Sequence, residues 1–361
     1  MIVNHKLVLD TFCEVYDLLK PYADAEFWNF KEHVTDGKLV PGAVYVVGRE
    51  QFTLNSKKII ELASENIIKV IFSNPSEGSE TQINHCKHLH ITDLILQKKM
   101  LMLTGGHVPE EYAALYYENF LPKILDYSEN LEAIQQYQAQ YSQNRPYKFL
   151  FLNSRMRYHR SYLLDQLKSL LDTAIWSNLD SGNGPIHLLQ NQYELDRFNT
   201  KINILGQKCV KPQLFAKDCW GDIYIKALPY NHTYFSLVTE TVFVYPYSFR
   251  TEKIWKPIAV GHPWIAASSR GYYKDIRNAG FQTFKHVIDE SFDQIDNNQD
   301  RLERITMVVK DLCQQDLVKF LNECYNVCKY NQQHLAEMRV KVRKEFPDRF
   351  FQFLKQYKFD E

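Results

Sequence analysis

The chain has 361 residues, of which 45% are hydrophobic, 14% aromatic and 24% charged. That apolar load excludes disorder as the main state, and the length suits two domains. Lys plus Arg number 43, as do Asp plus Glu, so the formal net charge is zero. A strong non-specific grip on nucleic acid or an anionic membrane needs surplus basic charge and is not implied, although a local basic patch is compatible.

Uncharged runs such as 257–269 fall short of the roughly 18 apolar residues of a spanning helix, so no integral membrane association is expected. The opening MIVNHKLVLDTF carries Asp10 inside its apolar stretch and has no small-residue cleavage site, so it reads as mature protein. Seven cysteines, at 13, 86, 209, 219, 313, 324 and 328, form no CxxC and read as reduced thiols of a cytoplasmic protein.

The first 130 residues alternate short apolar runs with helix-like stretches. Residues 43–47 (AVYVV) predict a strand, 54–64 a helix, and 67–72 (IIKVIF) a second strand ending in the polar loop 73–80. Residues 91–96 suggest a third strand and 100–103 (MLML) a fourth, ending in Thr104-Gly105-Gly106. A helix with Tyr112, Leu115 and Tyr116 on one face is expected next. Strands separated by helices indicate a parallel α/β sheet, and ligands of such sheets sit beyond the carboxyl ends of strands.

Residues 135–144 (QQYQAQYSQN) are Gln-rich, lack a clear apolar period and lead to Pro146, which marks them as an interdomain linker. A new α/β pattern follows, with a strand at 148–152 (KFLFL), the turn NSRMRYHR, an amphipathic helix at 161–171 and a strand at 173–176. Residues 181–232 are rich in Gly, Asn and Pro and yield no clear elements, and the alternation resumes at Thr233. Long helical segments at 300–345 and the aromatic, basic tail PDRFFQFLKQYKF close the chain.

The chemistry concentrates at 234–265, YFSLVTETVFVYPYSFRTEKIWKPIAVGHPWI. Residues 235–240 read as a strand with Glu240 at its end. Thr251 is a fair N-cap for a helix whose apolar face carries Ile254, Trp255 and Ile258, and Gly261-His262-Pro263 ends that helix before a strand at 264–267. A helix start offers free N–H groups and the positive end of a dipole to phosphate, and Arg250 and Lys253 add cationic donors for a diphosphate. Glu252 or Glu240 suits the hydroxyls of a ribose. Taken alone, TEK is also an ordinary first helical turn, and RMRYHR an ordinary solvated basic turn.

This segment resembles the donor-binding domain of GT-B glycosyltransferases, especially the fucosyltransferase-like branch, in which a strand ending in Glu precedes a TEK helix and a small-Pro-apolar strand follows. Residues 272–305, YYKDIRNAGFQTFKHVIDESFDQIDNNQDRLERI, are similar to a pattern found beside TEK in bacterial and phage proteins of this group. The start of the second domain, FLNSRMRYHRSYLLDQL, also matches the group's strand, Asn/Arg-rich turn and helix. The resemblance spans roughly 147–310. It implies two Rossmann-like α/β domains facing a cleft: an acceptor-side domain at 1–140, a nucleotide-sugar donor domain at 147–330, and a C-terminal helix at 331–361 packing back on the first domain.

Carried over by position, the resemblance makes Glu252 and Lys253 donor-nucleotide contacts and Glu240 a ribose or sugar contact. It places Arg155 and Arg160 in the strand-to-helix turn, facing the diphosphate. Thr241 replaces the Asn of the fucosyltransferase type, so the donor is not assigned as guanosine-linked fucose. The implied reaction is hexosyl or pentosyl transfer from a nucleotide-sugar to an acceptor hydroxyl, with no metal and no further cofactor. An inverting transfer needs a base, which the resemblance puts in the first domain; Glu77 is the first candidate, followed by Glu80 and His107. The acceptor is a glycan or, in a phage-type variant, a hydroxymethylated base in DNA. A non-catalytic nucleotide- or glycan-binding protein of the same fold is the alternative of another class.

Other groupings are weaker. His85, Cys86, His88 and His90 (HCKHLH) suggest zinc if His88 and His90 share a strand face, but no second cluster supplies the remaining ligands. Cys324 and Cys328, four apart, fit a helix core. Residues 289–300 lack the spacing of a calcium loop and read as a polar loop or helix start.

Overall fold

The computed structural model describes residues 6–27, 39–40, 42–139, 141–153, 157–178 and 225–359. The chain divides into two compact units, Met1–Asn119 with Val340–Glu361, and Phe120–Arg339. Both are α/β with wholly parallel sheets.

The first unit holds β1 (Leu7–Asp10), β2 (Ala25–Phe27), β3 (Val44–Gly48), β4 (Lys69–Asn74), β5 (Met100–Thr104) and β6 (Ala114–Tyr116). Their order across the sheet is β2-β1-β3-β4-β5-β6. Strands β1, β3 and β5 are buried throughout, which is why they are near-continuous apolar runs and do not alternate. Helix Arg49–Ser64 turns Phe52, Ile59, Leu62 and Ala63 inward at helical spacing, and they pack with Val8, Tyr45, Phe72 and Met102.

Three expectations for this unit are corrected. Residues 91–96 are not a strand: Thr92–Leu96 is a short helix, with Ile91 and Ile95 buried at i,i+4. A six-residue apolar run fits either period, and here tertiary packing selects the helix. Residues 112–116 are not a helix, because Ala114–Tyr116 adds to the sheet as β6 with Tyr116 opposite Thr104. The HCKHLH stretch is not a strand either. It ends helix Ser79–His88, with Cys86 buried 3.9 Å from the Met102 sulfur and His88 and His90 exposed.

The second unit holds β7 (Tyr147–Asn153), β8 (Ala174–Asn178), β9 (Thr233–Thr239) and β10 (Trp264–Ala267), in the order β10-β9-β7-β8. The Gln-rich stretch expected as a linker is helical up to Ala139, within helix Ser128–Ala139. Exposed glutamines conceal an inward stripe of Ala133, Ile134 and Tyr137. Arg145 then pins this segment to the sheet: its Nη1 donates to the Thr233 carbonyl at 2.8 Å and to that of Tyr230, over the Tyr137 ring at 5.0 Å. Residues 181–224 lie outside the described residues.

Helix Leu317–Gln356 is continuous and includes the aromatic tail. In the second unit its Gln332 Nε2 donates to the Ala259 carbonyl at 2.8 Å. Ala259 lies in the last turn of helix Glu252–Val260, which Gly261 stops in the left-handed region at φ 84°. The backbone conformation demands glycine, and a Cβ there would stand 2.7 Å from Gln332 Cδ and push that amide aside. In the first unit Phe346, Phe350 and Leu354 of the same helix are buried, and Arg349 donates to the Tyr116 carbonyl at 2.9 Å.

His262, sealed behind β9, keeps both ring nitrogens occupied: Nδ1 lies 2.9 Å from Ser236 Oγ and Nε2 2.7 Å from the Thr233 carbonyl. Burial, with Arg145 adding to it, lowers its pKa from 6.5 to about 3. Below about pH 6.5 the unfolded chain therefore takes up a proton that the native ring refuses until about pH 3. Stability should fall as pH drops through that window and be insensitive to this group above it. Urea unfolding of His262→Gln should show lower stability at neutral pH and a shallower decline on acidification.

Candidate functional site

The chain runs from β7 to β8 on one side of the second sheet and continues to β9 and β10 on the other, so the connection reverses direction between β7 and β9. A crevice for ligands opens beyond the carboxyl ends of strands at such a reversal. Asn153 ends β7, and its Oδ1 accepts from Thr239 Oγ1 at 2.5 Å; Thr239 ends β9. Glu240 follows at once and is fully buried.

Glu240 organises the surrounding loop. Its Oε1 accepts from the Thr251 N–H at 3.2 Å and the Tyr272 hydroxyl at 2.8 Å, and its Oε2 accepts from Thr251 Oγ1 at 2.6 Å. Burial pushes its pKa up, while the Lys253 cation and these hydrogen bonds pull it down, and burial prevails. Thr251 is thereby fixed as the cap of helix Glu252–Val260, accepting from the Lys253 N–H at 3.3 Å.

Lys253 is the accessible cation of this helix start; its side chain is 25% exposed, against 9% for Glu252, with which it is ion-paired. Burial alone raises the Glu252 pKa, but the Lys253 and Lys256 charges outweigh it and hold the carboxylate below its ordinary range. Arg250 is paired with Asp275, which also accepts from Ser248 Oγ at 2.8 Å.

On the β7 side, Arg160, expected at the end of the strand-to-helix turn, lies in the first turn of helix Tyr158–Gln166. It is buried and donates from Nη2 to the carbonyls of Thr239 at 3.0 Å and Glu240 at 3.4 Å. Its neighbour His159 places Nε2 3.0 Å from the Glu240 carbonyl and stacks on Phe243 at 5.0 Å. Burial, with Arg160 beside it, lowers the His159 pKa to about 3, so the ring is neutral and its Nε2–H donates to that carbonyl.

Arg301 closes the arrangement from helix Asn298–Leu312. It is buried, and it donates from Nε to the Ser268 carbonyl at 3.2 Å, from Nη1 to that of Ile295 at 2.8 Å, and from Nη2 to that of Phe243 at 2.9 Å. Its guanidinium lies 4.5 Å from the Phe243 ring.

Five expected residues thus converge in one unit: Arg160, Glu240, Arg250, Glu252 and Lys253. Arg155 lies outside the described residues. Glu77 belongs to the first unit, half-buried after β4, where it accepts from Arg49 Nη1 at 3.1 Å. The Glu80 side chain is also outside the described residues, and His107 is exposed and stacked on Tyr116 at 5.2 Å. Tyr272, His159 and Arg301 had no role in the sequence reading. Their contacts with Glu240 and Phe243 span 32, 81 and 58 residues, beyond the reach of any local motif.

Among the described residues no group of three or more His, Cys, Asp or Glu side chains is arranged to hold a metal ion. No helix among them is long and apolar enough to cross a membrane. No family model matches the chain, and no curated protein matches it. Among solved structures the chain is similar to the crystal structure of an α1,3-fucosyltransferase, at 11% identity and a TM-score of 0.42, over 92% of this chain and 91% of that one.

Removing the Glu240 carboxylate leaves a buried N–H and two hydroxyls unmet. At roughly 1–3 kcal/mol for each unsatisfied buried group, Glu240→Ala should cost about 3 kcal/mol or more in urea unfolding. Glu240→Gln, which retains Oε1, should cost less.

Proposed function

We propose that this site holds the diphosphate of a nucleotide-sugar, and that the protein is a glycosyltransferase moving a hexose or pentose to an acceptor hydroxyl. The observation that carries the reading is the Thr251-capped helix start at the carboxyl edge of β9, with the Lys253 ammonium on its open side and a sealed carboxylate fixing its direction. Phosphate is the ligand for which a helix start and an adjacent cation are suited.

In this reading the first-turn N–H groups and Lys253 meet the charge that develops on the leaving diphosphate as the glycosidic bond breaks. Arg250 and the Arg155–Arg160 segment add to the positive field, and the transfer needs no metal. Glu252, kept ionised by Lys253 and Lys256, accepts from the ribose hydroxyls. Glu240 acts through Thr251 and Tyr272: as a fully buried group it sets the position of the helix start and makes no ligand contact. In this reading the attacking hydroxyl belongs to the acceptor.

Thermal-shift titrations with UDP, GDP, CDP, ADP and their sugar conjugates test this directly. Stabilisation by one nucleotide family is expected, weakened at least roughly tenfold, or about 1.4 kcal/mol, in Lys253→Ala. No shift with any nucleotide, or equal affinity in Lys253→Ala, would overturn the assignment.

A further inference from the structure

The carboxyl edge of the first sheet carries a second polar cluster of different chemistry. Glu14, just beyond β1, accepts from Ser76 Oγ at 2.9 Å and from Ser73 Oγ at 3.5 Å. Ser76 Oγ in turn accepts from Asn119 Nδ2 at 2.9 Å. This chain joins the ends of β1 and β4 to the segment after β6. Glu14 and Ser76 are half-buried and form its open side, whereas Ser73 and Asn119 are buried behind them.

The cluster is not satisfied as it stands. Asn119 is 1% exposed and its Oδ1 has no hydrogen-bond partner; Asn74, the last residue of β4, is 2% exposed and its Nδ2 has none. Turning the Asn119 amide over changes which atom is orphaned but still leaves one. An unmet acceptor therefore belongs to the network itself, and an unmet donor to the residue that follows Ser73 at the end of β4.

The mixture selects the ligand. An anion is repelled by Glu14, whereas the Glu77 charge is offset by its Arg49 partner. A metal cation or ammonium gains nothing from the Asn74 N–H. A hydroxyl both donates and accepts, so it suits an edge that offers carboxylate and amide acceptors together with an amide donor.

We propose that Glu14, Ser76 and Asn119 form a binding site for an uncharged saccharide in the first unit. The proposal rests on the transferase reading only where it makes that saccharide the acceptor; binding itself requires no donor. It also favours a glycan over a hydroxymethylated DNA base, since the acidic side chains here oppose a phosphate backbone.

The test is binding of the full chain, without nucleotide, to an array of immobilised neutral oligosaccharides, followed by saturation-transfer NMR titration of the best binder. At least one neutral glycan should bind and remain bound at about 0.5 M salt, where exposed charge interactions are screened. Binding should fall roughly tenfold or more in Asn119→Ala and in Ser76→Ala, and stay unchanged in Lys253→Ala. Ser76 is half-buried, so its variant keeps the test intact if Asn119→Ala fails to fold. The proposal is overturned if no neutral glycan binds, if Ser76→Ala binds as well as the native chain, or if the chain prefers a hydroxymethylcytosine duplex in a salt-sensitive manner. Nucleotide binding that fails while glycan binding persists would remove the donor reading and leave this site standing.

Discussion

A carboxylate sealed inside the second unit governs the geometry of everything around it. Placing Glu240 at zero exposure carries a desolvation cost that only close, correctly aimed donors offset. Three such donors come from Thr251 and Tyr272, and the Lys253 charge lies nearby. Because each of these bonds is needed to keep the carboxylate buried, the loop after β9 has little freedom to place Thr251 elsewhere. The helix start inherits its direction from that restriction, and so does Lys253. A residue with no exposed surface thus determines where the Lys253 charge is placed.

The strand ends are held by the same logic applied to main-chain carbonyls. Where parallel strands stop, their last carbonyls lose their ladder partners and must find others. Arg160 takes those of Thr239 and Glu240, and Arg301 takes those of Phe243 and Ser268. A guanidinium suits this task because its planar fork reaches several acceptors at fixed angles, which a lysine ammonium does not do. Phe243 links the two sides, with the Arg301 guanidinium and the neutral His159 ring both packed against it. Desolvation pulls the Arg301 pKa down, and the Asp293 and Asp296 charges oppose that shift.

What the sequence made legible here is what local chemistry determines. Thr251 caps because its hydroxyl reaches an N–H two residues on, Gly261 stops the helix because it enters the left-handed region, and both can be read from a dozen residues. The long apolar strands β3, β4, β5, β7 and β9 were legible for the same reason. The short strands β1, β2 and β6 were not, because three or four residues hold too little period, whereas the equally short β10 is marked by the Gly261-His262-Pro263 stop before it. Residues 91–96 failed differently, since a buried helix turn and a buried strand look alike at that length. The partners of Glu240 were out of reach because the fold, and no spacing rule, brings Tyr272 and His159 to it.

The two sheets present like geometry and unlike chemistry, and the difference comes down to where a carboxylate lies. Each sheet reverses its connection once, between β1 and β3 in the first unit and between β7 and β9 in the second. In the first, Asp10 fills the reversal: Oδ2 accepts from the Gly48 N–H at 2.9 Å and Oδ1 from the Phe12 N–H at 3.0 Å. A Cβ on Gly48 would stand 2.9 Å from that Asp10 oxygen, so the approach is as close as a backbone allows. The start of helix Arg49–Ser64 is therefore already met by an anion belonging to the protein, and an incoming phosphate would have to displace it. In the second unit the Glu240 carboxylate sits behind the cap, and Lys253, ion-paired with Glu252, keeps its side chain 25% exposed. One architecture thereby places its carboxylates differently at the two edges: Asp10 against the N–H groups at the reversal, and Glu240 behind a helix cap.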